Sequence, residues 1–389
     1  MEKGCKLRPL ITKVITSRVE FEALKPGWNE LLRLSGSDTV FLTFEWLRCW
    51  WKTVGVGIKL FVVIVKDGEQ IVAIAPLVIF QYREVGVPVR RLQFIGSPYS
   101  DYADFIVVGD RDLCIRAILD RIMRHQREWD FVDLMHITDE SPNWQHVQDA
   151  LKDLGLHHTV SRWSICPYIE LGYNFDEYMH SLPKNLRYDL RRGERELRKI
   201  GILHYEVLVD SIEAKDALAP FRKMLSRREK MAGRVGSPSA VEMFFRFLAS
   251  LLEDDGASCF VHFSRLCLNG AAIAYHFGFA YGGKLYWYKP TFEPQHAIYS
   301  PGKLIIKYAI KNGVDSGAIE FDFLLGDEPY KFQWASCIRA SYNIRFFRND
   351  RKSQILQLWL NIVKPWLKQR PRIIDAVAHL RKRREDHSL

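Results

Sequence analysis

The chain has 389 residues, 48% of them apolar, and a formal net charge of +10. Such a length exceeds one ordinary core, so two domains are expected. The charge is local: residues 351–389 hold ten Lys/Arg against three Asp/Glu, and residues 184–199 hold seven against three. The rest is near neutral, which excludes a uniformly basic nucleic-acid binder and points to local anion contacts.

In chain order, "FLTFEWLRCWWKTV" (41–54) reads as a helix with Thr43 as N-cap. "KLFVVIVKDGEQIVAIAPLVIF" (59–80) holds two β-rich runs around an Asp-Gly turn, a hairpin signal. "DLCIRAILDRIMRHQ" (112–126) places Ile115, Ile118, Leu119 and Ile122 at helical spacing, and "DFVDLMHI" (130–137) reads as a strand. "DEYMHSLPKNLRYDLRRGERELRKIG" (176–201) reads as one long basic helix, with Pro183 early in it and Gly201 as its stop. The first order then repeats. A helix at 237–256 is followed by strands over 258–292 with turns at Asn269-Gly270 and Gly282-Gly283. A helix at 300–313 and a closing strand, "AIEFDFLL" (318–325), complete the copy.

The seven cysteines are scattered without a CxxC pair, which favours reduced thiols over a zinc site or disulfide framework. The N-terminus lacks an apolar signal core, and the longest apolar run, "IVAIAPLVIF" (71–80), is too short to span a bilayer. A cytoplasmic protein is expected. No P-loop, dinucleotide-binding glycine motif, HExxH or GxSxG occurs. His136 and His276 lie in apolar strands and read as core residues.

The order helix, hairpin, helix, strand in two copies resembles tandem GNAT folds. More specifically, the chain is similar to the BioF/CelD-like acetyltransferase family, related to the Fem peptidyltransferases. "FLTFEWLRCWW", "LPKNLRYDLRRGERELRKIGI" and "SPGKLIIKYAIKNG…FDFLLGDEPYKFQW" carry the resemblance. It implies an α/β protein with two tandem GNAT-like domains and mixed sheets, joined by a basic helix. The expected divisions are 1–165, a catalytic and donor-binding 166–350, and a basic tail at 351–389. It also implies acyl transfer to an amine in envelope or exopolysaccharide metabolism, with acyl-CoA as co-substrate and no metal. A Fem-type transfer from aminoacyl-tRNA and a degenerate scaffold are the rivals.

Acyl transfer needs donors for a developing oxyanion and a base for the ammonium proton. A pyrophosphate-bearing donor also needs an anion cradle, which a helix start provides. Ser300-Pro301-Gly302-Lys303 is the candidate cradle: a cap, a first helical residue, a glycine open to phosphate and a cation. The first half's equivalent, "VGDRDLC", begins with acids that would repel one. Lys331 matches the lysine of the family block and is a candidate for stabilising charge. Asp322 is either a general base or a salt-bridge partner of Lys331. Glu328 is the other candidate base, and Tyr330 a candidate proton donor to a leaving thiolate. In "FIGSPYSDYADFIVV" (94–108), Asp104 is the candidate to orient an amine, with a turn at Ser100 and Asp101 as the plain alternative. Arg187 and Arg191, four apart on one helix face, are candidates for a phosphorylated acceptor, or for internal salt bridges. In the tail, Ile355, Leu358, Trp359, Ile362 and Trp366 share a helical face. That face suits either packing on the second domain or a peripheral contact with an anionic membrane.

Overall fold

The computed structural model describes residues 10–172, 174–234 and 236–368. The strands among them are β1 (Ile11–Ile15), β2 (Lys59–Leu60), β3 (Val62–Asp67), β4 (Gln70–Ala75), β5 (Leu77–Glu84), β6 (Val87–Phe94), β7 (Ile106–Val107), β8 (Phe131–Thr138), β9 (His158–Glu170), β10 (Leu203–Val207), β11 (Val261–Leu268), β12 (Ala271–Tyr281), β13 (Lys284–Phe292), β14 (Glu320–Asp322) and β15 (Cys337–Phe347). They form a small sheet, β1-β3-β4-β7, and an 11-stranded mixed sheet, β10-β11-β12-β13-β14-β9-β15-β8-β6-β5-β2. The expected hairpin is β3–β4, turning at Gly68 with φ of 60°. Single residues, Phe61 and Pro76, carry the chain from this hairpin back to the large sheet on either side.

Local signals built the helices. Thr43 Oγ accepts from Trp46 N–H at 3.3 Å and opens the helix Phe44–Thr53. Ile115, Ile118, Leu119 and Ile122 are all buried by the helix Arg111–Arg124. The basic segment is two helices, Phe175–Ser181 and Lys184–Ile200, where one was expected. Pro183 sits at the N-cap of the second, because its ring disfavours helix in the preceding residue, and Leu182 is extended there. Gly201 is the C-cap, as its position indicated.

The two tandem units exchange strands. β15, last in the second half, lies between β8 and β9. β9 crosses to pair antiparallel with β14. The division expected at 165/166 therefore falls inside β9, and a cut there would sever ladders that hold both halves. One apolar cluster packs the helices Phe44–Thr53, Ser211–Met231 and Pro238–Glu253 against one sheet face. Another packs the basic helix and the helix Pro301–Asp315 on the opposite face.

The described part of the tail packs mainly on the first half and also touches β15, through Phe347 and an Arg345–Asn361 hydrogen bond at 3.3 Å. Leu356 joins Val89 and Phe131, from β6 and β8 of the first half. Trp359 and Lys364 both donate to Glu84 at the end of β5, at 2.9 and 2.8 Å. Trp359 thus leaves the proposed stripe, while Ile355, Leu358, Ile362 and Trp366 face outward. "LRKRRE" lies outside the described residues. Among these, no helix is long and apolar enough to cross a membrane.

Candidate active site

β13 and β14 run parallel for three pairs, Lys284 to Glu320 through Tyr286 to Asp322. β14 then ends, while β13 continues along β12 to Phe292. Between Phe277 and Phe279 of β12 the register slips, because β13 carries one extra residue near Trp287–Tyr288. Such a bulge leaves a residue outside the ladder and bends the strand. The parallel strands therefore part beyond Asp322, and a loop from the first half meets this opening.

Asp322 faces away from Phe321 and Phe323, as alternation requires. It is fully buried and accepts from Tyr102 Oη on both oxygens (2.9 and 3.0 Å), from Arg339 (3.2 Å) and from Leu324 N–H (2.7 Å). Its ion-pair partner is thus Arg339, not Lys331. Arg339 also binds Glu140 at 3.0 Å and Glu320 at 2.9 Å, and lies 4.0 Å above the Tyr168 ring. Burial raises the Asp322 carboxyl, and Arg339 opposes that shift. With its lone pairs occupied and no exposed surface, Asp322 joins the halves.

Lys331 is 3% exposed. Its ammonium donates to the carbonyls of Leu325 (2.7 Å) and Leu324 (3.4 Å) and pairs with Glu328 at 2.9 Å. Leu324 has φ of 60°, so this lysine clasps a strained strand end. Burial alone would raise the Glu328 carboxyl, but the Lys331 hydrogen bond and charge hold it below the usual range. The Tyr330 phenol is pushed up to about 12, by burial first and then by the Glu328 charge, so it stays protonated at neutral pH.

The first-half loop divides the two acids that the sequence offers. Asp104 is 5% exposed and accepts from Ser37 (2.7 Å), Ser141 (2.6 Å), Asn143 (3.0 Å) and its neighbour Phe105 N–H (2.8 Å). It closes a clasp within the first half. Asp101 is the residue that reaches the opening. It is partly open to solvent and receives a backbone N–H from Leu325, with Lys289 and Lys331 as the nearby cations. Burial pushes its carboxyl up to about 6, while these cations hold it down. Tyr288 Oη donates to the Tyr99 carbonyl at 2.8 Å, and Tyr99 stacks on Phe247, so the loop is pinned to the second half. Lys289 lies 5.4 Å from the centre of the Phe244 ring. Asp101, Lys289 and Tyr288 were not singled out from the sequence. The Ser-Asp turn beside Gly96 was visible, but nothing in the spacing separates Asp101 from Asp104.

The expected donor cradle is partly covered. Ser300 is left-handed (φ 56°) and makes no side-chain cap. A Cβ on Gly302 would meet the Phe292 ring at 3.1 Å, and Lys303 is paired with Asp189 of the basic helix at 2.8 Å. A Cβ on Gly193 would come within 2.2 Å of the Tyr299 carbonyl, so the basic helix presses on the approach to Ser300. Arg187 and Arg191 do share a face and line a pocket beside Lys307, away from Asp101. Among the described residues no His, Cys, Asp and Glu group is placed to hold a metal.

Residues 184–332 match the acetyltransferase (GNAT) domain family. No curated protein matches the chain. Among solved structures, FemX superposes with a TM-score of 0.63 at 11% identity, covering 90% of this chain and 99% of FemX. A conserved protein of unknown function from Bacteroides thetaiotaomicron scores 0.52 at 11% identity, covering 87% and 100%. The C-terminal domain of a proposed lysylphosphatidylglycerol synthetase from Agrobacterium fabrum scores 0.52 at 11%, covering 88% and 95%. A parted pair of parallel strands inside the matched GNAT domain, in a chain that superposes on FemX over 90% of its length, makes this an acyltransferase of Fem/GNAT-like fold.

Proposed function

We propose that the chain moves an acyl group to an amine at the opening between β13 and β14, with Asp101 taking the proton. The observation that carries this is Asp101 itself: a partly exposed carboxylate at the join of the halves, raised by burial to about 6 and flanked by Lys289 and Lys331. Asp101 removes a proton from the bound ammonium. The amine attacks the acyl carbonyl, the C–N bond forms, and the bond to the donor's sulfur or oxygen breaks. Lys289 and the β13 bulge face the oxyanion, and the second proton lost by the attacking nitrogen passes to the departing sulfur or oxygen. Lys331 holds the carbonyls that shape the opening.

The donor is acyl-CoA in the first reading, with an envelope or exopolysaccharide precursor as acceptor. The covered start of the helix Pro301–Asp315, with Lys303 already paired, favours a second reading in which the donor is an aminoacyl ester of tRNA. The outward face of Ile355, Leu358, Ile362 and Trp366, with a basic tail beyond, fits peripheral contact with an anionic membrane. The test is transfer from radiolabelled acyl-CoA or charged tRNA to an amine by the full chain. Turnover with one donor, lowered about 100-fold by Asp101→Asn, is expected, the scale of a general base. Equal turnover by the variant would overturn the role of Asp101, and no transfer from either donor would overturn the reading.

A further inference from the structure

The helices Phe175–Ser181, Lys184–Ile200 and Pro301–Asp315 line a half-open pocket of about 210 Å³. Arg187, Arg191, Lys307 and His180 line it, with Asp176 as its single carboxylate and Leu190 among its apolar walls. Lys307 is bound to Glu194 at 2.6 Å, and burial's push on Glu194 is overcome by Lys307 and Tyr308, which hold that carboxyl at about 2. Asp189 is turned to Lys303. On the same basic helix Arg195, Arg198 and Lys199 pair with Glu194 or Glu196. Among the described residues Arg187 and Arg191 enter no ion pair, and Arg187 Nε is buried with no hydrogen-bond partner. An unpaired buried N–H costs free energy that an acceptor oxygen would recover.

We propose that this pocket binds a phosphoryl group, apart from the acyl-transfer opening. Two guanidinium forks four residues apart offer paired N–H groups that match phosphate oxygens. The pocket is smaller than the roughly 300–1,000 Å³ of a drug-sized site, so it suits a phosphate monoester or diphosphate and not a whole nucleotide. It sits on the far side of the sheet. Leu285 and Trp287 of β13 pack with Leu190 and Leu304, while Tyr286 and Tyr288 pack with Phe41 and Phe279 on the Asp101 side. A phosphoryl group held here therefore anchors a molecule without touching the reacting carbonyl.

Calorimetry of the full chain with inorganic pyrophosphate tests this, alongside co-sedimentation with phosphatidylglycerol and phosphatidylcholine vesicles. Saturable pyrophosphate binding is expected, weakened at least tenfold by Arg191→Gln and unchanged by Arg195→Gln. Arg191 is exposed, so that variant should fold, and its thermal unfolding checks this. Retention on phosphatidylglycerol vesicles that pyrophosphate competes away and Arg191→Gln abolishes supports the site with a lipid as source. Pyrophosphate binding without such retention supports it with a soluble phosphate ester. No saturable binding of either probe, or an equal loss in Arg195→Gln, overturns it. The acyl-transfer assay reads Asp101 separately, so either proposal can fail alone.

Discussion

Asp322 and Asp101 stand at the same join between the halves and differ in every respect that governs a carboxylate. Asp322 has no exposure and four accepted hydrogen bonds, one of them from a guanidinium 3.2 Å away. Asp101 has solvent access, one backbone donor and cations that act mainly through charge. Burial raises both, yet only the second can exchange a proton with something arriving from outside. A carboxylate fully used by its own protein is a rivet; one left partly unused is available for chemistry.

The largest break in this contrast should come from Asp322→Ala. It removes one of the three carboxylates around the buried Arg339 guanidinium and leaves Tyr102 Oη and Leu324 N–H without their acceptor, so a loss of about 3–5 kcal/mol is expected from denaturant unfolding. A loss below about 1 kcal/mol would place Asp322 outside the framework. Asp101→Asn should do the reverse. The folded carboxyl lies at about 6, above the usual 3.8. Its protonated form is therefore favoured by folding, and that contribution is complete below about pH 4 and lost as pH rises through 6. The variant should be more stable than the parent at pH 7, by on the order of 1–3 kcal/mol, with the gap closing in acid. The parent's turnover should also fall as Asp101 protonates below about pH 6, and the variant's should not follow that step. A variant less stable at pH 7 would make Asp101 a second rivet.

Lys331→Met sharpens the comparison between the two acids' surroundings. The ammonium's bonds to the Leu324 and Leu325 carbonyls are charge-assisted, so a loss of about 1.5–3 kcal/mol is expected. Turnover should drop with little change in KM, because the shape of the opening is lost rather than a substrate contact. A rise in KM with intact turnover would assign Lys331 to ground-state binding. The smallest effect concerns the tail. Replacing Ile355, Leu358 and Ile362 with Ser should leave unfolding nearly unchanged, since all three face outward, but reduce sedimentation with anionic vesicles. Vesicle binding that is absent in the parent, or equal in the variant, would remove the membrane contact.

The sequence by itself determined what short-range chemistry sets. The Thr43 cap, the Gly68 and Gly270 turns, the buried stripe of the helix Arg111–Arg124 and the shared face of Arg187 and Arg191 all follow from spacings of a few residues. The tandem α/β order was legible for the same reason, through repeated local texture, whereas the acyltransferase class came from the family resemblance that one compact block carries. Tertiary structure alone decided the pairings. Tyr102 and Asp322 meet across 220 positions, β15 enters between β8 and β9, and Arg339 takes the place that one of two readings gave Lys331. It also decided which acid of one loop is used. Asp101 and Asp104 are three residues apart in irregular backbone, which has no period to fix a face, so contacts from distant elements set their burial.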